Sequence, residues 1–592
     1  MKLFKMILPL SLSLLLVLSL ALTAACTKKS DLNDNAIYVP LRANVKGFDP
    51  VHASDVYSTT VIAQVYEGLL KYHYLKRPYE VVPALSETMP VISDKGLTYT
   101  FKIKKGVKFH DDPCFSGGKG RDLVAQDFIY AFRRLSDPST QNDGFWIFDG
   151  KIKGLNEWVD ALKNKKADYS TPIEGLQAPD DNTLVIKLTQ PYYQLLYVLT
   201  MPYAFAVPHE AVEKYGSEFL NHPVGTGPFM FDSWVRNSKI VLKKNPNFRN
   251  ETYPSDGSPG DKEAGLLEDA GKTLPFADKV IFTEIPEDSP RWQNYMKGNF
   301  DFAEIPADNF DASIADKKMK PEIAAKGMKL SITSGDDYTY ISMNMKDPIL
   351  GKNKDLRHAL SLAHDTNGAN IKFNNGHAIA AHGPIPPDIS GYEASFVNPY
   401  QRLDLEKAKE LLKKAGYPGG KGLPELTFEA LSDSKNRQAA EFFQQNMAAI
   451  GVKVVISSNT WPQFQDKVKN MKAQIFAIAW TADYPDGQDF LQLFYSKNLS
   501  PGPNDSNFSN AEYDKLYDKA MLTPPGPERD NLYHKMRDIV VEECPQIFEA
   551  HRQFYILSHG WLNNFKFSYM IMDFPKYLKV DPKKRSELKA KL

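Results

Sequence analysis

The chain has 592 residues, more than one ordinary domain accommodates, and its 42% hydrophobic and 24% charged residues are typical of a folded globular protein. Its 72 Lys and Arg residues balance 72 Asp and Glu residues, so the formal net charge is zero. This balance argues against a surface that binds nucleic acid or an anionic membrane through bulk charge.

The N-terminus has the pattern of an export signal. Lys2 and Lys5 precede the apolar run ILPLSLSLLLVLSLALTAAC, which is short for a membrane span and ends in small residues. A single transmembrane anchor is the alternative. Cys26 directly after TAA resembles a bacterial lipobox, although Thr23 stands where a branched apolar residue is usual. We therefore expect residues 1–25 to be a signal peptide, Cys26 to carry lipid, and residues 26–35 to tether the protein to a membrane.

Two further cysteines, Cys114 and Cys544, lie far apart in the sequence. Metal sites need clustered ligands, and the scattered histidines show no ligand spacing, so we expect no metal and no cofactor. In an exported protein the two cysteines form one disulfide or remain two unpaired thiols, and the sequence leaves both possibilities open.

The first half of the mature chain predicts a mixed α+β region. A strand is expected at 36–43, and a helix over roughly Asp55–Tyr72. The segment LTYTFKIKKGVKF, from Leu97, alternates apolar and polar residues, which predicts a half-buried antiparallel strand. Further strands are predicted within 182–191, 238–248 and 277–286. The polar segment 250–272, rich in Gly and Pro, is the most flexible insertion that the sequence predicts.

From about Ile285 helices and strands alternate, which predicts a separate α/β lobe with a parallel or mixed sheet. Predicted helices cover 353–365, 435–450 and 461–472. A further helix with an apolar face is predicted to begin after Asp404, which suits its N-cap. Predicted strands cover 425–431, 451–458 and the apolar run AQIFAIAW at 473–480.

The sequence contains no recognisable set of catalytic residues. PHEAVEKY (208–215) lacks the second histidine of a zincin motif, and PVGTGPF (223–229) lacks the Gly-Lys-Ser/Thr end of a phosphate loop. There is no G-x-S-x-G segment. We therefore expect no enzyme, with an exported hydrolase as a remote alternative.

Five blocks, in order along the chain, resemble the solute-binding proteins of peptide ABC importers, the oligopeptide- and dipeptide-binding family (extracellular solute-binding family 5). They are FDP with VYEGLLKY (48–50 and 65–72), LTYTFKIKKGVKFHDD to VAQDFIYAFRRLSDP (97–138), HPVGTGPFMFDSWVRNSKIVLKKNPNF (222–248), ISMNMKDPILGKNKDLRHALSLAHD (341–365) and WTADYPDGQDFLQLFYS (480–496). The departures are the insertion CFSGGKGRD (114–122), Gly487 in place of a proline, and His364–Thr366 in place of an acidic-basic pair.

This resemblance implies an α/β and α+β architecture: a two-lobed, periplasmic-binding-protein-like fold with a hinged ligand cleft. Lobe I would comprise 36–284 plus 550–592, with an extra subdomain inserted at about 75–205, and lobe II would comprise 285–549. The ligand would be enclosed between the lobes by hinge closure.

By the same resemblance, Asp483 after WTA meets the α-ammonium of a bound peptide. The residues support this, because ligands bind beyond the carboxyl ends of such strands and a carboxylate forms a charge-assisted bond with an ammonium. The alternative is a turn cap before Tyr484. Main-chain groups near Trp480 and Ala482 would pair with the peptide as an added strand. The remaining ligand-binding candidates are Tyr484, Trp461, Asn344, Asp55 and Tyr57, and Asn344 has the alternative of bonding only to backbone.

The expected function is that of a monomeric, lipid-anchored receptor outside the cytoplasm, in the periplasm or at the cell surface. It would deliver peptides to the permease and ATPase subunits of an ABC importer. The alternative ligands of this fold are a nickel chelate, haem, an opine or an oligosaccharide.

Overall fold

The structure is a computed structural model that describes residues 35–592. The predicted signal peptide, the predicted lipidation site Cys26 and almost all of the predicted tether lie outside the described residues. Within 35–592 no helix combines the length and the apolar character that crossing a membrane requires.

The first lobe contains a four-stranded mixed sheet. Its strands, in spatial order, are Ala36–Leu41, Lys279–Glu284, Lys239–Lys244 and Phe229–Val235. The first two strands are parallel, and the others pair antiparallel. A second sheet, wholly antiparallel, has the order Val91–Ser93, Thr98–Lys102, Thr183–Lys187 and Leu176–Asp180. In Thr98–Lys102 the residues Tyr99 and Phe101 are buried and Lys102 is exposed, which confirms the predicted alternation.

The second lobe contains a six-stranded sheet. Its spatial order is Ile379–Ala380, Gln546–His551, Asp337–Met343, Ile475–Thr481, Leu426–Leu431 and Val454–Asn459. The first four strands pair antiparallel, and the last three pair parallel. The parallel strands are linked through the helices Ser434–Ala448 and Trp461–Lys469. The predicted mixed sheet with helical crossovers is therefore confirmed.

Two neighbouring segments connect this sheet to a smaller one, whose order is Phe302–Glu304, Gln553–His559 and Met328–Ser334. One connection passes through Gly335 and the other through Arg552. The Gly335 amide donates to the Arg552 carbonyl at 2.9 Å, and the Arg552 guanidinium lies 2.5 Å from the Asp337 carboxylate. Two adjacent, mutually bonded connections are the geometry that a hinge between lobes requires. The Arg552 connection lies next to the predicted boundary at Ala550, whereas the Gly335 connection lies well after the predicted boundary at Ile285; both boundaries remain predictions.

The α-helices are Val56–Val65, Ala125–Ser136, Leu155–Lys163, Leu195–Val198, His209–Tyr215, Asp288–Met296, Ala307–Ser313, Pro321–Ala324, Lys354–Ala363, Thr366–Asn374, Leu405–Lys414, Ser434–Ala448, Trp461–Lys469, Gln488–Leu491, Ala511–Leu522, Pro527–Glu543 and Pro582–Lys589. Asp404 caps Leu405–Lys414 as predicted, accepting a hydrogen bond from the Lys407 amide at 3.0 Å.

The largest apolar core fills the first lobe and continues across the lobe interface to Ala482 and Tyr484.

The helix predicted over Asp55–Tyr72 is shorter in the structure. It ends at Val65, because Tyr66 has extended backbone angles and Leu70–Tyr72 forms a strand with Val81–Pro83. Gly68 allows this turn to pack closely, since a Cβ there would lie 2.8 Å from the Phe205 ring. A tertiary strand pairing thus replaces the last two helical turns that the sequence pattern predicts.

The insertion 250–272 contains turns and no regular helix or strand, but it is anchored to the C-terminal part of the chain. Asp261 lies 2.7 Å from the ammonium of Lys566, and Asp269 lies 2.7 Å from that of Lys579. Both carboxylates are buried. Ion pairs from the middle and from the C-terminal end of the segment argue against the mobility that its composition suggested.

Cys114 and Cys544 are free thiols in the structure. Cys114 is half-buried against the core of the first lobe, and Cys544 is buried in the core of the second lobe. Of the two alternatives that the sequence leaves open, the structure contains the unpaired thiols.

Candidate ligand-binding cleft

The strand Ile475–Thr481 ends in a loop that is held by a buried carboxylate, Asp489. One oxygen of Asp489 accepts hydrogen bonds from the Asp483 amide at 2.9 Å and from the Trp480 indole at 3.1 Å. Its other oxygen accepts from the Gln492 side chain at 3.0 Å. Asp489 therefore fixes the direction in which Asp483 leaves the sheet. The sequence analysis missed this role, although the segment WTADYPDGQDF places Asp489 close by in sequence.

The carboxyl group of Asp483 has no hydrogen bond or salt bridge to any residue in 35–592. It is half-buried, and its surroundings raise its pKa to about 7 by removing it from water. The pKa of Asp489 is raised as well, first by burial and then by the charge of Asp483. Two neighbouring carboxyl groups without a cation do not both ionise readily, so this site favours the arrival of a positive charge.

Asp486, in the same loop, shows how a buried carboxylate is normally satisfied. It accepts hydrogen bonds from the Arg529 guanidinium and the Tyr533 hydroxyl, each at 2.7 Å. It also accepts one from the Gln194 side chain of the first lobe at 3.3 Å. Asp486 is thus structural, and Asp483 is the carboxyl group of this loop that remains available to a ligand.

A cavity of about 80 Å³ lies between Asp483 and the first lobe. Its first-lobe wall comes from the helix Val56–Val65, from the residues that follow it up to Tyr72, and from parts of 200–205 and 569–576. The second lobe contributes Ala482 and Asp483. The cavity is therefore enclosed by both lobes, at the carboxyl end of the strand where the sequence predicts a ligand.

The charged residues at or beside this cavity, Asp483 excepted, neutralise one another. The pairs are Lys71 with Glu251 (2.5 Å), Lys576 with Glu251 (3.0 Å), Lys576 with Asp573 (2.8 Å) and Arg249 with Glu67 (2.6 Å). Among these charged residues, Asp483 is thus the one that has no ion-pair partner.

One edge of the strand Ile475–Thr481 is only partly covered. The strand pairs with Asp337–Met343 along its whole length, but with Leu426–Leu431 only through its first two residues. A second cavity, of about 40 Å³, is lined by Ala477 and Glu429 of these strands together with residues of the helices Thr366–Asn374 and Ser434–Ala448. The last part of the strand therefore offers main-chain groups to an added extended segment.

Lys435, in the first turn of the helix Ser434–Ala448, is a half-buried cation with no salt bridge or hydrogen bond in the described chain. Burial lowers its pKa, and so does the charge of Arg42 from the first lobe, whereas the carboxylates of Glu304 and Asp288 act in the opposite direction. A lysine at a helix N-terminus opposes the helix dipole, which is the sequence signal that could have marked it. This position suits a carboxylate.

Aromatic residues close the two lobes against each other. The rings of Tyr57 and Trp461 meet edge to face with centroids 6.1 Å apart. The rings of Tyr197 and Tyr484 stack at 6.0 Å. The predicted candidates Tyr57, Trp461 and Tyr484 therefore all lie at the lobe interface, and Trp480, Ala482 and Asp483 share the loop at its centre.

Two predicted site residues have other tasks in the structure. Asn344 lies at the opposite end of the sheet, because Asp337–Met343 runs antiparallel to Ile475–Thr481 and Met343 pairs with Ile475. Its amide donates to the carbonyls of Met471 and Ala473, each at 3.1 Å. Asn344 is therefore a structural residue far from Asp483, as its backbone-bonding alternative implied. Asp55 caps the helix Val56–Val65, accepting from the Tyr57 amide at 3.0 Å.

Curated proteins similar to this chain bind different solutes. The glutathione-binding protein GsiB of Escherichia coli is 27% identical over 518 residues, which is 86% of this chain and 88% of the relative. Haem-binding protein A of Haemophilus influenzae is 28% identical over 546 residues, 89% of each chain.

Solved structures share the fold. The periplasmic binding protein DppA of Helicobacter pylori, in complex with the peptide STSA, has a TM-score of 0.75 at 24% identity, covering 92% of this chain and 98% of that one. A periplasmic oligopeptide-binding protein of Borrelia burgdorferi has a TM-score of 0.77 at 23% identity, covering 92% and 100%. The profile of the bacterial extracellular solute-binding proteins, family 5, matches residues 80–501, more than half of the chain. The chain therefore belongs to the family 5 bacterial extracellular solute-binding proteins.

Proposed function

We propose that this protein binds peptides with a free amino terminus between its two lobes and delivers them to an ABC permease for import. The observation that carries the proposal is the unpaired carboxyl group of Asp483, which lines an interlobe cavity. A peptide ammonium would ionise this carboxyl and form a short charge-assisted bond with it. The loop leaves Asp483 without the partners that satisfy Asp486.

The peptide main chain has a natural place beside the same loop. The uncovered edge of Ile475–Thr481 leads toward Asp483 and would accept an extended chain as an added strand. Such pairing uses backbone groups and does not read side chains, so it suits ligands of varied sequence. The aromatic residues Trp461 and Trp480 supply broad apolar walls near this edge.

A second charge completes the complementarity to a zwitterionic ligand. Lys435 offers an unpaired ammonium at the lobe interface, with Arg42 of the opposite lobe close enough to lower its pKa. Arg42 is itself paired with Glu304 and Asp288, so the ammonium that is available to a ligand carboxylate is that of Lys435. We assign this carboxylate to the peptide C-terminus or to an acidic side chain.

Calorimetry with the purified, ligand-free protein tests the proposal. A short peptide is titrated in three forms: with both termini free, with an acetylated amino terminus, and with an amidated carboxyl terminus. We expect acetylation to abolish binding, because it removes the charge that Asp483 requires. Equal affinity for the free and the acetylated peptide would contradict the proposal.

A non-peptide solute is the second candidate, since one similar protein is a haem-binding protein. The described residues of the Asp483 cavity wall include no histidine or cysteine, and the haem ligands that they offer are tyrosines and methionines such as Tyr569 and Met572. Saturable binding of haem, with no binding of free-amine peptides, would support this candidate instead. Native mass spectrometry of protein purified from its own host identifies whichever ligand it retains.

The finer localisation is a proposal from the sequence alone. We propose that the mature protein begins at a lipidated Cys26, which holds it as a monomer at the outer face of a membrane. The intact mass of the membrane fraction gives the lipid directly. A mature protein whose intact mass shows no added lipid would refute the anchor.

A further inference from the structure

The N-terminal segment joins the first lobe beside the helix Pro582–Lys589. Ala36 is the first residue of the strand that pairs with Lys279–Glu284, and its carbonyl accepts a hydrogen bond from the Arg585 guanidinium at 2.8 Å. The same guanidinium lies 2.7 Å from the Asp301 carboxylate, and both side chains are buried. A buried ion pair therefore holds the beginning of this strand against the helix.

The surface around this helix is rich in lysines that have no salt bridge. Two neighbouring segments pack against the helix, since a Cβ at Gly327 would lie 3.3 Å from the Leu588 side chain, and a Cβ at Gly298 would lie 3.3 Å from the Lys589 side chain. We define the basic patch by six lysines of these three segments: Lys297, Lys326, Lys329, Lys583, Lys584 and Lys591.

The lysines of the basic patch face solvent and lie close to one another. All are exposed except Lys326, which is half-buried, and none forms a salt bridge with another described residue. Burial lowers the pKa of Lys329, and the charge of Lys584 lowers it further, whereas Glu268 acts in the opposite direction. The patch therefore gathers like charges from segments that are distant in sequence.

Carboxylates on the same surface balance these lysines only in part. Four of them lie there: Asp581, Glu587, Glu322 and Glu268. Asp581 caps the helix, accepting a hydrogen bond from the Lys584 amide at 3.0 Å. Lys589 and the terminal carboxylate of Leu592 offset each other in charge. Because the six lysines outnumber the four carboxylates, the surface has a local excess of positive charge, although the formal net charge of the whole chain is zero.

The predicted tether is short compared with the protein. Cys26 precedes Ala36 by ten residues, which span at most about 35 Å when fully extended. A compact fold of this length has a radius of gyration of about 24 Å and hence a diameter of about 60 Å. A lipid on Cys26 would therefore keep the Ala36 side of the first lobe turned toward the membrane, out of reach of the opposite side.

From the position of Ala36, the unpaired lysines and the short tether we propose that the basic patch binds the anionic phosphate headgroups of the membrane that holds the protein, with the helix Pro582–Lys589 facing the bilayer. Ammonium groups within a Debye length of anionic lipids, about 8 Å at physiological salt, are attracted to them. Each such lysine strengthens binding about fivefold. The proposal rests on the proposed lipid anchor, which brings this surface to the membrane, but the lysines are testable without the lipid.

Cosedimentation with vesicles tests the patch directly. The chain 27–592 contains every described residue and no lipid. It is mixed with vesicles of phosphatidylcholine alone, or of phosphatidylcholine with about one-third phosphatidylglycerol. We expect binding to the anionic vesicles only. This binding should weaken when the salt concentration is raised from about 0.1 M to about 0.5 M, because the added ions screen the charges.

Two triple variants separate this surface from lysines in general. The first carries Lys583→Ala, Lys584→Ala and Lys591→Ala, and should bind anionic vesicles about 100-fold more weakly than the wild type. The control carries Lys421→Ala, Lys453→Ala and Lys472→Ala, at exposed positions of the second lobe whose lysines have no salt bridge within 35–592, and should bind like the wild type. Because all six positions are exposed, both variants should keep the wild-type melting temperature.

Absence of binding to anionic vesicles would overturn the proposal, as would an equal loss of binding in the two triple variants. Retention by soluble polyglutamate without any binding to anionic vesicles would overturn it in favour of an acidic protein partner. The intact mass of the membrane fraction tests the anchor separately. A protein that lacks lipid but binds vesicles through these lysines would overturn the anchor and support the patch, and a failure of peptide binding would overturn neither.

Discussion

Replacing Asp483 by asparagine should stabilise the ligand-free protein and weaken peptide binding at the same time. Its carboxyl pKa is raised from 3.8 to about 7 in the fold. The folded state therefore binds more protons than the unfolded state between these pH values, and the ionised carboxyl lowers the free energy of unfolding as the pH rises through that window. Three pKa units correspond to a ceiling of about 4 kcal/mol.

The effect should be smaller than this ceiling, because the cavity partly solvates the carboxyl and Asp489 shares its titration. We expect Asp483→Asn to raise the free energy of unfolding at pH 7.5 by about 1–3 kcal/mol. The same change should weaken peptide affinity by about 2–5 kcal/mol, because the ligand ammonium loses its counter-charge in an enclosed site.

Thermal melts and calorimetry on the same samples measure both quantities. Asp466→Asn, the same substitution at an exposed position of the second lobe, is the matched control and should change neither. A variant that keeps wild-type affinity would refute the role of Asp483. A variant that is less stable than the wild type would refute the claim that this carboxyl is unsatisfied in the ligand-free fold.

Three other predictions follow from the same geometry. Wild-type affinity should fall about tenfold per pH unit below pH 7, since binding requires ionised Asp483, whereas Asp483→Asn should show no such dependence in titrations from pH 7.5 to 5. Lys435→Ala should weaken binding of a free-carboxylate peptide by about tenfold without affecting binding of the amidated form. Lys453→Ala, at an exposed position, serves as the control. Loss of affinity for both peptide forms would argue against carboxylate binding by Lys435. Asn344→Ala should lower the free energy of unfolding by about 1–3 kcal/mol, because two backbone carbonyls lose their hydrogen-bond donor. It should leave peptide affinity unchanged. Weaker peptide binding by a fully folded variant would indicate that Asn344 belongs to the ligand site.

Local features were readable from the sequence because they depend on near neighbours. The alternation in 98–102, the N-cap at Asp404 and the strand Ile475–Thr481 all follow from side-chain period and capping chemistry within a few residues. The helix predicted to reach Tyr72 was wrong at its end, because pairing between Leu70–Tyr72 and Val81–Pro83 outweighs helical periodicity. Intrinsic helix propensity contributes little free energy per residue, and hydrogen bonding to a partner strand overrides it.

The candidate site likewise contains residues that the sequence identified and residues whose role depends on the tertiary structure. The loop WTADYPDGQDF identified Asp483, Trp480, Ala482 and Tyr484 together, because they are consecutive or nearly so. For Asn344 the sequence left both the cleft edge and backbone bonding open, since the direction of Asp337–Met343 relative to Ile475–Thr481 cannot be read from either segment. Lys435 was missed for the related reason that its lack of a partner is a property of the assembled lobes.

The sequence by itself determined the family, the order of strands and helices along the chain, and the presence of an acidic loop after a buried strand. These follow from composition, periodicity and motif order, which are one-dimensional. Only the tertiary structure decided which carboxyl of that loop is satisfied and which is not: Asp486 meets Arg529, Tyr533 and Gln194, while Asp483 faces a cavity. The physical reason is that the desolvation of a charge depends on every group that surrounds it in space, and those groups come from both lobes.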